Sequence, residues 1–142
     1  MDNPSTQSPA AETNALKEAY AALNRGDVPG FVAVFDPEIE RVEPPDFPAG
    51  GTYHGLDAVR AHVAKGRGSW AEGACQPERF TVVGNRIVVL VHVRVRLKKE
   101  TEWREAHLAD VYTFRNGKAT QFRTFINEKQ ALEWAGAVDG AG

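Results

Sequence analysis

Residues 89–97 read Val89-Leu90-Val91-His92-Val93-Arg94-Val95-Arg96-Leu97, and every odd position is apolar while the even ones turn polar toward the end. A period of two marks a strand with one buried face, so the odd side chains are predicted to face a core. The following segment, 101–114, takes its register from charge if Lys99-Glu100 makes a two-residue turn. Arg94 then opposes Glu105 as an ion pair, Arg96 opposes Trp103 as a cation–π pair, and His92 opposes His107, all on the outer face. The inner face receives Val91 opposite Leu108, Val93 opposite Ala106 and Val89 opposite Asp110. An aspartate therefore lands on an apolar wall.

The turn at Arg115-Asn116-Gly117 sets what that aspartate meets on the next strand. A two-residue Asn-Gly turn puts Asp110 opposite Arg123, and a three-residue turn closed by a glycine bulge puts it opposite Phe122. Thr120, Phe122, Thr124 and Ile126 make the even side of 120–126 the better inward face, which favours the three-residue turn. On the N-terminal side, Ser8-Pro9 reads as a cap and first helical position, with Leu16, Ala19, Tyr20 and Leu23 on one stripe until Gly26. Asp27 is expected to cap a second helix carrying Phe31, Val34 and Phe35, ended by Asp36-Pro37. Residues 38–43 read as a short strand, 44–55 as a proline- and glycine-rich rim loop, and Leu56, Val59, Arg60 and Val63 as a third helix ending near Gly66. Period two resumes from Phe80, and Leu132 and Trp134 mark a last short helix. The fold class is thus α+β: a curved antiparallel sheet around N-terminal helices.

At 142 residues the chain fits one domain, expected over 8–135, with loose termini at 1–7 and 136–142. Hydrophobic residues at 42% and charged residues at 25% are ordinary globular composition. A net charge of −2 gives no basis for binding nucleic acid, which needs clustered Lys and Arg. The single cysteine, Cys75, cannot form an intrachain disulfide and reads as a buried small hydrophobe. Residues 1–14 lack an apolar signal core and no run approaches a membrane span, so a cytoplasmic protein is expected.

Two carboxylates stand out. Asp110, set among Val, Leu, Tyr112 and Phe122, loses hydration, which raises its pKa and would let it donate a hydrogen bond to an oxyanion. The plainer reading is an ionised Asp110 held by Arg123, Arg104 or a backbone amide. Glu43 lies where the first strand enters the rim, open to a ligand and suited to a general base, although surface glutamates before prolines are common. The histidines offer no three-histidine site: His54 is in the rim, His62 on a helix, and His92 and His107 on the outer face, so no metal is expected. That outer face mixes Val88, Leu90, Trp103 and Val111 with charges and suits a homodimer contact, in which His92 and His107 are expected to sit. Trp70, after Gly66-Arg67-Gly68-Ser69, is a candidate aromatic wall. Serine-triad, phosphate-loop and dinucleotide motifs are absent, and no cofactor is expected.

Tyr20-Ala21-Ala22-Leu23-Asn24-Arg25-Gly26-Asp27, Gly30-Phe31-Val32-Ala33-Val34-Phe35 and Val42-Glu43-Pro44 resemble the N-terminal half of ketosteroid isomerases and SnoaL-like polyketide cyclases. Asp110-Val111-Tyr112-Thr113-Phe114, the Asn-Gly turn, Arg123 and Glu128-Lys129 resemble the isomerases' C-terminal half. The resemblance covers about residues 15–130 and implies the cone-shaped nuclear-transport-factor-2-like fold, one pocket and a dimer. It maps Glu43 onto the isomerase's proton-shuttling aspartate, one methylene shorter, and Asp110 onto its protonated oxyanion-binding aspartate. The oxyanion-binding tyrosine position falls on Ala19, with Tyr20 next, so Tyr20, Tyr53 or Tyr112 would have to supply the hydroxyl.

The leading expectation is an isomerase or cyclase acting on an apolar carbonyl compound, polyketide- or steroid-like. Glu43, Asp110 and Tyr20 are its catalytic candidates, and Trp70, Val91, Val93, Leu108, Tyr112 and Phe122 line its pocket. The alternatives are a non-catalytic ligand-binding or dimerisation module, in which Asp110 is a paired structural acid, and an epoxide hydrolase. Relatives of the last kind use an acid–arginine–acid set whose order and spacing differ from those here, although Arg41 shares a strand face with Glu43.

Overall fold

The computed structural model describes residues 8–137. Ser8 caps the first helix by accepting a hydrogen bond from the amide of Ala11, and Pro9 sits where no amide donor is needed. Helix α1 then runs Pro9–Asn24 and buries Leu16, Ala19, Tyr20, Ala22 and Leu23. Its C-terminal carbonyls, at Leu23 and Asn24, accept from the guanidinium of Arg67, a cation placed where the helix dipole favours one. Asp27 caps α2 as expected, but α2 covers only Val28–Val32. Strand β1 already starts at Phe35 and reaches Glu43, because the Val34 carbonyl is taken by the Ala119 amide and Phe35 packs edge-on to Phe31. Sheet pairing thus overrides the helical reading of Val34 and Phe35.

The remaining elements are β2 (Gly51–His54), α3 (Leu56–Gly68), β3 (Trp70–Val83), β4 (Arg86–Leu97), β5 (Arg104–Arg115), β6 (Lys118–Phe125) and α4 (Glu128–Ala135). They build one curved, open six-stranded sheet in the order β2-β1-β6-β5-β4-β3, antiparallel except for the parallel β1–β6 pair. β3 is ten residues longer at its start than the alternation beginning at Phe80 suggests. It is an edge strand, where Gly73 and Pro77 are tolerated.

The β4–β5 register is the expected one, from Val89↔Asp110 through Val91↔Leu108 and His92↔His107 to Arg94↔Glu105. The side-chain partners differ. Arg94, not Arg96, lies 4.0 Å from the Trp103 ring, Glu105 binds His92, and Arg96 binds Glu72 on β3.

The β5–β6 register differs from both expectations. Asn116 and Gly117, at φ 53° and 80°, make a two-residue turn that pairs Arg115 with Lys118. A bulge at Thr120 then shifts the ladder, so Asp110 faces Thr124.

The main core lies between α1–α3 and the inner sheet face and includes Leu16, Tyr20, Phe31, Ile39, Val89 and Tyr112. A second core lies on the outer face, where α4 covers Val88, Ala109 and Val111 with Ala131 and Ala135. This corrects the expected dimer surface, since Val88 and Val111 are buried by the chain's own last helix. Ile126, expected inward, is 53% exposed beyond the end of β6. Of the termini, residues 1–7 and 138–142 lie outside the described residues. Gly136 and Ala137 are bonded to α4 through the carbonyls of Glu133 and Leu132. Among the described residues no helix is long and apolar enough to cross a membrane.

Candidate functional site

Alternation along β5 turns Asp110 into the main core, between Val89 on β4 and Thr124 on β6. The Thr124 hydroxyl donates to Asp110 Oδ1 at 2.6 Å, and Tyr20 Oη from α1 donates to Oδ2 at 2.5 Å. Tyr112 Oη donates in turn to Tyr20 Oη at 2.8 Å. Tyr20 and Tyr112 are fully buried, so the chain Tyr112→Tyr20→Asp110←Thr124 is shielded from water. Burial pushes the Asp110 carboxyl above the ordinary aspartate range; the charge of Arg41 and the bonds from Thr124 and Tyr20 oppose this, and Glu43 adds to it. Burial, then the charge of Asp110, pushes the Tyr20 phenol well up, and burial does the same for Tyr112, so both keep their protons. The Cys75 thiol is pushed up to about 12, chiefly by burial, and is no nucleophile.

Glu43 ends β1 on the same sheet face. Its Oε2 lies 2.7 Å from Arg41 Nη2 and 3.3 Å from His62 Nε2 of α3, whose ring stacks on Tyr53 at 4.0 Å. Arg41 is buried, with its guanidinium 3.8 Å from the centre of the Phe122 ring and its Nη1 donating to the carbonyls of Val42 and Phe122. A cavity of about 280 Å³ opens here, lined by Glu43, Pro44, Asp46, Thr124, Ile126 and Gln130 among others. Thr124 therefore belongs both to the cavity wall and to the Asp110 network.

The other sequence candidates fall into two groups. Val91, Tyr112 and Phe122 are core residues around Asp110, with Tyr112 and Phe122 stacked at 4.6 Å, and Val93 packs against the same cluster. Leu108, half-buried, sits on the same strand face one step along β5. Trp70 pairs with Leu97, whereas Asp110 pairs with Val89; at about 3.3 Å per residue those β4 positions are roughly 26 Å apart. Trp70 carries the Arg67 guanidinium at 4.7 Å instead. Tyr53 donates to the Ala49 carbonyl. Two partners were not assigned from sequence. His62 shares the helical stripe of Val59 and Val63, a spacing that points it at β1. Thr124 is on the inward face, but only the bulge brings it to Asp110.

An open curved sheet with three helices over one face and buried acid at the sheet centre defines a small α+β pocket domain. The SnoaL-like domain family model matches residues 16–122, and the chain belongs to that family. It is similar to a nuclear-transport-factor-2-like protein of unknown function from Burkholderia pseudomallei, at 28% identity over 89% of this chain and 98% of that one, with a TM-score of 0.74. It shares its fold with TerC, co-crystallized with polyporic acid, at 23% identity over 88% and 98% of the two chains and a TM-score of 0.72. A candidate SnoaL-like polyketide cyclase from Mesorhizobium loti shares it too, at 22% identity over 80% and 97% and a TM-score of 0.63. No curated protein matches the chain.

Proposed function

We propose that this protein is an acid/base enzyme, an isomerase or cyclase, for a small apolar carbonyl compound of polyketide- or steroid-like shape. The observation that carries the reading is the buried chain Tyr112→Tyr20→Asp110←Thr124, closed at a cavity wall that also holds Glu43. Glu43 removes a proton from the carbon next to the substrate carbonyl, and the electron pair of that C–H bond moves to the carbonyl oxygen. The resulting enolate oxygen displaces the Thr124 hydroxyl and takes a hydrogen bond from protonated Asp110 at Oδ1, while Tyr20, held in turn by Tyr112, steadies Oδ2. Collapse of the enolate either takes the proton back from Glu43 at a different carbon or forms a carbon–carbon bond to a second carbonyl, whose π electrons move to its oxygen, which then takes the proton from Glu43. Val91, Val93, Leu108, Tyr112 and Phe122, expected to line the pocket, lie off this cavity, whose apolar wall is Val42, Pro44, Pro45, Phe125 and Ile126. Trp70 has no part in it.

A naphthol tests the reading, because its ionised oxygen imitates an enolate. Fluorescence titration should give saturable binding to the wild type and a loss of at least about tenfold in Asp110→Asn, with Glu43→Gln binding as well or better. For any substrate found, both variants should lose turnover while folding normally. Equal naphthol binding in wild type and Asp110→Asn, or normal turnover in both variants, removes the proposal.

A second reading, hydrolytic epoxide opening, draws support from Arg41, which bonds Glu43 and whose charge acts on Asp110. Hydrolysis of small apolar epoxides by the wild type, lost in Arg41→Lys, would favour it over the enolate reading. The homodimer belongs to the leading proposal with a reduced contact at the far end of the outer face, around the exposed Trp103 and clear of His92 and His107.

A further inference from the structure

Three strands bring metal-ligating side chains together on the outer face, on the opposite side of the sheet from Asp110. His92 of β4 and His107 of β5 are directly opposed across the ladder, their rings stacked at 4.5 Å and 8°. Glu78 of β3 sits at a bulge, unpaired between Pro77↔Val91 and Arg79↔Leu90. A bulge re-aims a side chain, and here it delivers Glu78 Oε1 to 3.3 Å from His107 Nε2. One ligand atom from each of Glu78, His92 and His107 lies within 4.8 Å of the others. Glu105 Oε2 stands 2.6 Å from His92 Nε2, a fourth donor at the edge of the group.

We infer that Glu78, His92 and His107, with Glu105 completing the shell, form a surface site for a divalent transition metal of the zinc or copper class. Two imidazoles and two carboxylates are the nitrogen and oxygen donors that such borderline ions take, whereas calcium and magnesium select oxygen alone. Bond lengths of about 2.1 Å place the ligand atoms of a four-coordinate ion about 3.4 Å apart. The half-exposed rings and carboxylates reach that spacing by side-chain rotation, because the two strands already hold the imidazoles in opposition. Without metal, the Nε2 atom of each histidine faces a carboxylate, so the ion replaces existing charge-assisted contacts and builds on a preformed set. The other outward neighbours, Gln76 of β3 and Arg94 of β4, leave the group open: Gln76 is uncharged, and Arg94 lies against Trp103. Counting histidines alone misses the site, since its third ligand is a glutamate placed by a bulge.

The test is calorimetric titration of the tag-free full chain with zinc chloride near neutral pH, with copper(II) paramagnetic resonance as an independent readout. The expected result is one zinc per chain with micromolar affinity, and copper hyperfine structure from two nitrogens. His92→Gln and His107→Gln should each weaken binding by at least about tenfold, since losing a ligand costs no less than losing an outer-shell partner. Glu78→Gln should weaken it less, and His54→Gln, on distant β2, should leave it unchanged. Absence of saturable binding below millimolar zinc, unchanged affinity in the two histidine variants, or one zinc per two chains would each overturn the inference.

Discussion

Tyr20→Phe removes one oxygen from the buried network and keeps the ring that packs edge-on to Phe31 and Tyr112. Two hydrogen bonds go with it: the one donated to Asp110 and the one accepted from Tyr112. A neutral bond contributes about 1 kcal/mol and one to an ionised group about 1.5–3 kcal/mol, so the loss should be about 2 kcal/mol with Asp110 protonated and about 2.5–4 kcal/mol once it ionises. A domain stable by about 5–15 kcal/mol survives that, and the variant should fold. The cost should grow with pH, because the Tyr20 bond favours the charged form of Asp110. Tyr112→Phe removes only the neutral bond and should cost about 1 kcal/mol. The double variant should cost less than the two single costs combined, since the shared bond is lost once and the stranded Tyr112 hydroxyl is gone. Urea denaturation at several pH values reads all of this as shifts in midpoint at constant slope. A Tyr20→Phe loss within about 0.5 kcal/mol, the size of an ordinary surface change, or strict additivity in the cycle, would refute the network.

Asp110 should leave a signature in the pH dependence of stability. Burial raises its folded-state pKa above the unfolded value of about 3.9, so the folded chain holds this proton to higher pH than the unfolded one. The stability contributed by the neutral carboxyl is fully present below the unfolded pKa and is lost as pH rises through the folded one. Denaturant midpoints of wild type relative to Asp110→Asn should therefore fall as pH rises from acid to neutral; a rising or flat difference would contradict a raised pKa. For the dimer, sedimentation velocity on the metal-free chain should give twice the chain mass, and Trp103→Glu should return it to the monomer. A monomeric wild type at working concentration excludes the contact.

The elements that could be read from sequence are those whose signal is local. The alternation in 89–97 and the charges on 101–114 were sufficient for the β4–β5 ladder, because a one-residue slip would turn every valine to the outer face. Ser8-Pro9 and the stripe of α1 likewise place Tyr20 on the inner side, although its meeting with Asp110 joins residues 90 positions apart. What could not be read depends on distant partners. Phe35 leaves the helix for a parallel pair with β6, and the apolar outer face is covered by α4 rather than by another chain. Ion pairs on the exposed face follow reach more than register, which is why Arg94 finds Trp103 and His92 finds Glu105.

The β5–β6 hairpin carries the largest consequence for chemistry. Asn116-Gly117 fixes the turn, but the bulge at Thr120 comes from tertiary demand and has no sequence mark; the freed Thr113 carbonyl is met by the Thr120 hydroxyl. That one extra residue replaces the arginine that the turn alone would set opposite Asp110 with a threonine, where a three-residue turn would have set a phenylalanine. An arginine there would have held the carboxylate ionised, and a phenyl ring would have left one oxygen without a donor. Threonine does neither: it satisfies Oδ1 with a neutral hydroxyl whose pull downward on the pKa is outweighed by burial, and it leaves the acid one replaceable partner at the cavity wall. The capacity of Asp110 to hand a hydrogen bond to a guest therefore rests on a bulge three residues beyond the turn.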